Sequence, residues 1–257
     1  MGQGMRLNMR RSALAAIFAD ILLVRGVRNL ALLLVCLCSA LVLHQGKAWG
    51  AGSRAEDRIV DKEIVVEKAG LKVSVRYPVL NIGAIDADIE DWARQTAEAF
   101  SSEFSETAHD QENELKATYR IIRASPKVVS VVWDVWNYTG GAHGNLDIVV
   151  FVYDCGTGQI LELGDLFADE ETALNLLSSL TYAQLPALLG DMAQDEMIRS
   201  GTSPDLDNFA CVAPTPEGVR VFFQPYQVAP WAAELQEVNI KLHELQDAVP
   251  RREYWGK

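Results

Sequence analysis

Three stretches in the middle of the chain, at 115–123, 128–138 and 146–153, are rich in Val, Ile, Trp and Tyr and separated by residues that break regular structure. β-Branched and aromatic side chains suit a pleated surface, on which successive residues face opposite sides. The breaks are Ser125-Pro126-Lys127 after the first stretch and Gly140-Gly141-Ala142-His143-Gly144 after the second. Neighbouring strands joined by such short turns predict a twisted antiparallel sheet. Within 128–138, alternation places Trp136 and Tyr138 with Asp134 on one face and Trp133 on the other. One set of rings is expected in a core, and the other is left to line a groove.

The flanking segments complete the pattern. Residues 63–68 and 71–77 read as a hairpin turning at Ala69-Gly70, and Pro78 ends it. Asp86 is placed to cap a helix over 86–106, with Ile85, Ile89, Trp92, Phe100 and Phe104 on one face and acids on the other. Gly156-Thr157-Gly158 is a tight turn; helices follow at 170–189 and 192–200, then a hairpin at 209–212 and 219–224, and a last strand at 238–242. The order β-β-α-β-β-β-α-α-β-β-β predicts an α+β fold with helices packed on an antiparallel sheet. The expected division is a linker at 51–60, a small β-β-α subdomain at 61–125 and a larger α+β domain at 126–257.

Residues 30–43 form an uncharged apolar run preceded by Arg25 and Arg28. Fourteen residues are short for a bilayer span, which needs about 20. They suit the apolar region of an export signal, and Ala48-Trp49-Gly50 provides small residues for cleavage after Gly50. Residues 1–50 are therefore read as a signal peptide or an uncleaved anchor, and the rest as periplasmic or extracellular. Membrane attachment is expected only without cleavage. Val35 and Leu37 precede Cys36 and Cys38, where lipid attachment wants a small residue. Cleavage leaves Cys155 and Cys211, and in an oxidising compartment two cysteines predict one disulfide.

Residues 51–257 hold 17 basic and 34 acidic residues, a net charge of −17. That balance opposes nucleic acid and anionic lipid, and leaves basic proteins and cations as favoured partners. His143 is the sharpest chemical candidate: a general base, a metal ligand, or a clamp that fixes its loop. Gly140 and Gly141 beside it allow positive φ. His109 and His243 are not at ligand spacing to it, and neither a hydrolase nor a phosphate-binding motif occurs, so no metal or cofactor is expected. Tyr226 and Trp231, around Pro230, either present rings to a ligand or, for Tyr226, close a sheet edge. Asp165, Asp169, Glu170 and Glu171 fit a helix N-terminus.

GGAHG at 140–144, YDCGTGQILELGDLF at 153–167 and FQPYQVAP at 223–230 together resemble the RsiV-type extracytoplasmic domain, largely of unknown function. That domain occurs in the anti-sigma factor RsiV and beside the deacetylase domain of PdaC. The specific likeness covers 128–245, while 60–125 matches only in order of elements. The resemblance implies an envelope location and, through RsiV, a lysozyme-like partner. The chain shows neither a sigma-binding region nor a separate catalytic domain, so neither activity is expected to transfer. Two functions remain: a binding module for a basic envelope protein or cell-wall glycan, contacting it through Tyr138, Gly140, Gly141, His143, Tyr226 and Trp231, or an enzyme acting on an envelope polymer through His143.

Overall fold

The computed structural model describes residues 59–104 and 112–256. The expected signal, its cleavage site, most of the linker and His109 lie outside the described residues. Strands β1 (Val60–Lys68), β2 (Leu71–Val79), β3 (Asn113–Ser125), β4 (Val128–Tyr138) and β5 (Asn145–Asp154) form one five-stranded sheet in sequence order. Helix α1 (Gly83–Phe104) lies between β2 and β3 in the chain. A second sheet of three antiparallel strands, β6 (Val212–Thr215), β7 (Gly218–Phe223) and β8 (Gln236–Lys241), follows the helices α2 (Leu163–Leu166), α3 (Glu170–Leu189) and α4 (Asp195–Gly201). The α+β class is as expected. Among the described residues, no helix is long and apolar enough to cross a membrane.

Two expectations need correction. The large sheet is mixed, because β2 and β3 pair in parallel while every other pair in it is antiparallel. Parallel neighbours need a long crossover, and α1 supplies it. The boundary drawn at 125/126 also falls inside a hairpin: β3 and β4 are hydrogen-bonded along their length on either side of Pro126-Lys127. The first sheet ends with β5, but Ala124, Val128 and Val152 of that sheet are buried with the helices and strands that follow it.

Helix α1 covers one face of the large sheet. Ile85, Ile89, Trp92, Ala93, Ala97, Phe100 and Phe104 are buried there against Val73, Val75, Leu115, Val131 and Trp133. Asp86, expected as the cap, lies inside the first turn and accepts the Leu80 N–H at 2.6 Å, tying the helix entry to the end of β2. Asp169 does cap α3, accepting the Thr172 N–H and hydroxyl at 3.0 and 2.7 Å. These bonds hold its carboxyl below the usual range.

The opposite face of β3–β5 carries the second sheet. Val132 and Ile148 are buried there with Ala213 and Phe222, joined by Ile122 and Cys211. Arg120 of β3 bridges the layers: it donates to Glu237 of β8 at 2.6 Å and Asp134 of β4 at 3.2 Å, and lies 5.3 Å from the centre of the Phe222 ring. A third core gathers α3, α4, β6–β8 and the C-terminal Trp255. This packing brings the segment after β7 to the open end of β4 and β5.

Candidate binding site

The Gly-rich loop joins β4 to β5, and its shape follows from its glycines. Gly140 and Gly141 have φ of 94° and 103°, conformations a side chain strongly disfavours. Gly144 lies so close to the Trp136 indole that an added Cβ would be 2.4 Å from Nε1. The Tyr138 hydroxyl donates to the Gly141 carbonyl at 3.1 Å, anchoring the loop to the end of β4. His143 is exposed, with Nδ1 2.8 Å from the Gly144 carbonyl. A carbonyl only accepts, so Nδ1 carries the proton in this contact.

The Gln224–Pro230 segment is built from a turn and two amides. The Gln227 N–H donates to the Gln224 carbonyl at 3.0 Å, closing a four-residue turn with Pro225 and Tyr226 at its centre. Pro225 fixes a negative φ and Tyr226 has φ 68°, which makes this a type II turn with Tyr where glycine is usual. The Gln224 side chain then behaves as an extra peptide group on the outer edge of β5. Its Oε1 accepts the Ile148 N–H at 2.8 Å, and its Nε2 donates to the Ile148 carbonyl at 2.7 Å. Gln227 fastens the turn from behind: Nε2 donates to the Gly201 and Asn208 carbonyls at 2.9 and 3.0 Å, and Oε1 accepts the Gln224 N–H at 2.9 Å. Sequence reasoning passed over both glutamines, although they bracket Pro225-Tyr226 in the motif.

Held in this way, the two segments meet. The His143 and Trp231 rings stack with centroids 4.8 Å apart and planes 17° apart. Tyr226 lies 5.8 Å from Trp231 and tilts by 31°. Its ring is 55% exposed, so Tyr226 presents an aromatic face and does not close a sheet edge. Trp136 and Tyr138 lie nearly parallel, 6.4 Å apart, on the face expected from alternation, while Trp133 is fully buried on the other. Tyr138, Gly140, Gly141, His143, Tyr226 and Trp231 are thus brought to one end of the molecule.

The expected Cys155–Cys211 disulfide is not formed. Cys155 packs against the α1-side core, whereas Cys211 packs between the two sheets. Their separation by the large sheet is the physical reason they do not meet. The Cys211 thiol donates to the Ile148 carbonyl at 3.3 Å, and burial pushes its pKa up to about 12, suppressing thiolate chemistry. Among the described residues, no group of three or more His, Cys, Asp or Glu is placed to hold a metal ion. The acids at 165–171 serve the helix entry: besides the Asp169 cap, Asp165 accepts the Glu162 N–H at 3.0 Å. His143 has no carboxylate among its hydrogen-bond partners in the described residues, so the arrangement offers aromatic faces and an exposed imidazole.

The site and fold are those of an α+β domain whose relatives are now identifiable. Residues 64–146 match the family described as "Deacetylase PdaC", and residues 164–243 match the family described as "Protein of unknown function (DUF3298)". Two parts of the chain are thus similar to these two families, the first match ending at residue 146 and the second beginning at 164. It is 30% identical over 179 residues to the peptidoglycan-N-acetylmuramic acid deacetylase PdaC of Bacillus subtilis, a match covering 68% of this chain and 38% of that protein. Two crystal structures share the fold at 16% identity. A DUF3298 family member from Bacteroides fragilis aligns with TM-score 0.53, over 78% of this chain and 97% of its own. One from Pseudomonas aeruginosa aligns with TM-score 0.59, over 79% and 99%.

Proposed function

We propose that this chain is a non-enzymatic binding module of the cell envelope, with its contact surface at the meeting of the Gly-rich loop and the Gln224–Pro230 turn. One observation carries the reading: exposed His143 is stacked on Trp231 beside exposed Tyr226, and no carboxylate among the described residues is hydrogen-bonded to it. A general base needs an orienting partner and a reacting atom within reach, whereas a binding surface needs rings held open to solvent. The likeness to a peptidoglycan deacetylase over 38% of that protein supports an extracytoplasmic location, in keeping with the apolar leader at 30–43.

The net charge of −17 over 51–257 supports a second reading, in which the partner is a basic envelope protein such as a lysozyme. Such a field accelerates encounter while exposed pairs add little affinity, so binding of that kind weakens steeply with salt. The test is titration of the exported protein with wall sacculi and with basic proteins, at low and physiological salt. Saturable binding lost in Trp231→Ala is expected. Envelope-polymer turnover abolished by His143→Ala in a folded protein would overturn the non-enzymatic reading.

A further inference from the structure

Resting on that reading, we infer that the surface recognises an uncharged, extended saccharide chain, laid along a strip of five rings: Tyr138, Trp136, His143, Trp231 and Tyr226. The rings form two groups, Tyr138 with Trp136 and His143 with Trp231 and Tyr226, joined by the loop backbone at Gly144. Tyr138 and Trp136 are parallel to within 9°. Gly144 rests on the Trp136 indole, His143 precedes it in the chain, and the His143 ring continues through Trp231 to Tyr226. The ring centroids are 6.4 Å apart in the Tyr138–Trp136 pair, and 4.8 and 5.8 Å apart along His143–Trp231–Tyr226. A row of this kind offers repeated contacts to a polymer of flat, C–H-faced units.

Two backbone conformations point to contact as the purpose of these side chains. Tyr226 occupies the turn position where glycine fits without strain, yet its ring stays exposed and touches only Trp231 among rings. Glu234, three residues beyond Trp231, is exposed with φ 58° and ψ −162°, a region almost reserved for glycine. Strain that serves no core marks functional sites. An exposed carboxylate beside aromatic rings is a ready acceptor for sugar hydroxyls. A cation would favour ring faces that converge into a cage, whereas these rings are stacked nearly parallel to one another. The acidic charge of the chain disfavours an anionic polymer and leaves a neutral glycan unopposed.

The experiment uses the full exported chain and its Tyr226→Gly variant, titrated calorimetrically with the neutral N-acetylglucosamine tetramer, with lysozyme titrated in parallel. Saturable tetramer binding is expected, weakened about tenfold or more in Tyr226→Gly while Tm is unchanged or higher. Only a ring retained for contact at a strained position gives that combination. Unchanged binding by the variant overturns the assignment of the strip. No tetramer binding, with salt-sensitive lysozyme binding weakened by Tyr226→Gly, overturns the saccharide and leaves the binding module standing. Binding of neither overturns both.

Discussion

Trp133 and Trp136 stand three residues apart on the same strand and lead opposite lives. Trp133 is fully buried, 4.3 Å from Trp92 of α1, and its indole N–H donates to the Arg76 carbonyl at 3.2 Å. Trp136 is on the other face, half-buried beside Tyr138 and under Gly144. The difference comes from what each face meets. Helix α1 covers the first around Trp133, whereas the second sheet leaves Trp136 and Tyr138 on the other face half-exposed. Aromatic content alone therefore distinguishes nothing here; the neighbouring layer decides which rings hold the fold and which remain available.

The sharpest way to break this contrast is to remove one ring from each side. Trp133→Ala should cost about 3–5 kcal/mol in urea unfolding, since a fully buried indole leaves a cavity. Trp136→Ala should cost much less while weakening any ligand that uses the strip. Equal losses would show that both faces are core.

Gln224→Ala probes the attachment of the turn to β5. Removing the amide leaves the Ile148 N–H and C=O without it, at a cost of about 1–3 kcal/mol, and should release His143 from Trp231. Loss of stability without loss of the stacking signal in near-ultraviolet circular dichroism would contradict this coupling.

Cys211 gives a smaller, pH-dependent effect. Its folded pKa is raised to about 12, so its thiol contribution is intact below the unfolded pKa of about 8.5 and fades as pH climbs above it. The stability of wild type relative to Cys211→Ala should fall by about 1 kcal/mol by about pH 9.5. A constant difference would mean the thiol is not buried as described. Thiol titration of denatured, unreduced protein should find both Cys155 and Cys211 free.

Smallest of all is Tyr226→Gly. Relief of about 1–2 kcal/mol of left-handed strain is offset by about 0.5–1 kcal/mol of glycine entropy, leaving little change or a slight gain. A clear loss of stability would make Tyr226 a structural residue.

Much of this architecture was legible because it rests on local chemistry. The strand alternation placed Trp133 opposite Trp136, and the expected helix at 170–189 matches α3 with Asp169 as its cap. His143, Tyr226 and Trp231 stood out as residues in loops broken by Gly and Pro. Strand direction was not legible, because alternation is the same in parallel and antiparallel pairs; only the length of α1 between β2 and β3 hinted at a crossover. Nor was the pairing of Gln224 with Ile148, which depends on a side-chain amide imitating the backbone 76 residues away. The cysteine count suggested a disulfide but held no information about which core each thiol enters.

The six tryptophans allow a direct reading of the central claim. Indole N–H signals of the isotopically labelled protein would be followed by NMR during titration with solubilised wall glycan. The signals of Trp136 and Trp231 should shift in a saturable manner while those of Trp92, Trp133 and Trp255 hold still. Shifts at Trp92 or Trp133 without any at Trp231, or no shift at any indole, would contradict an open aromatic contact surface on the far side of β4.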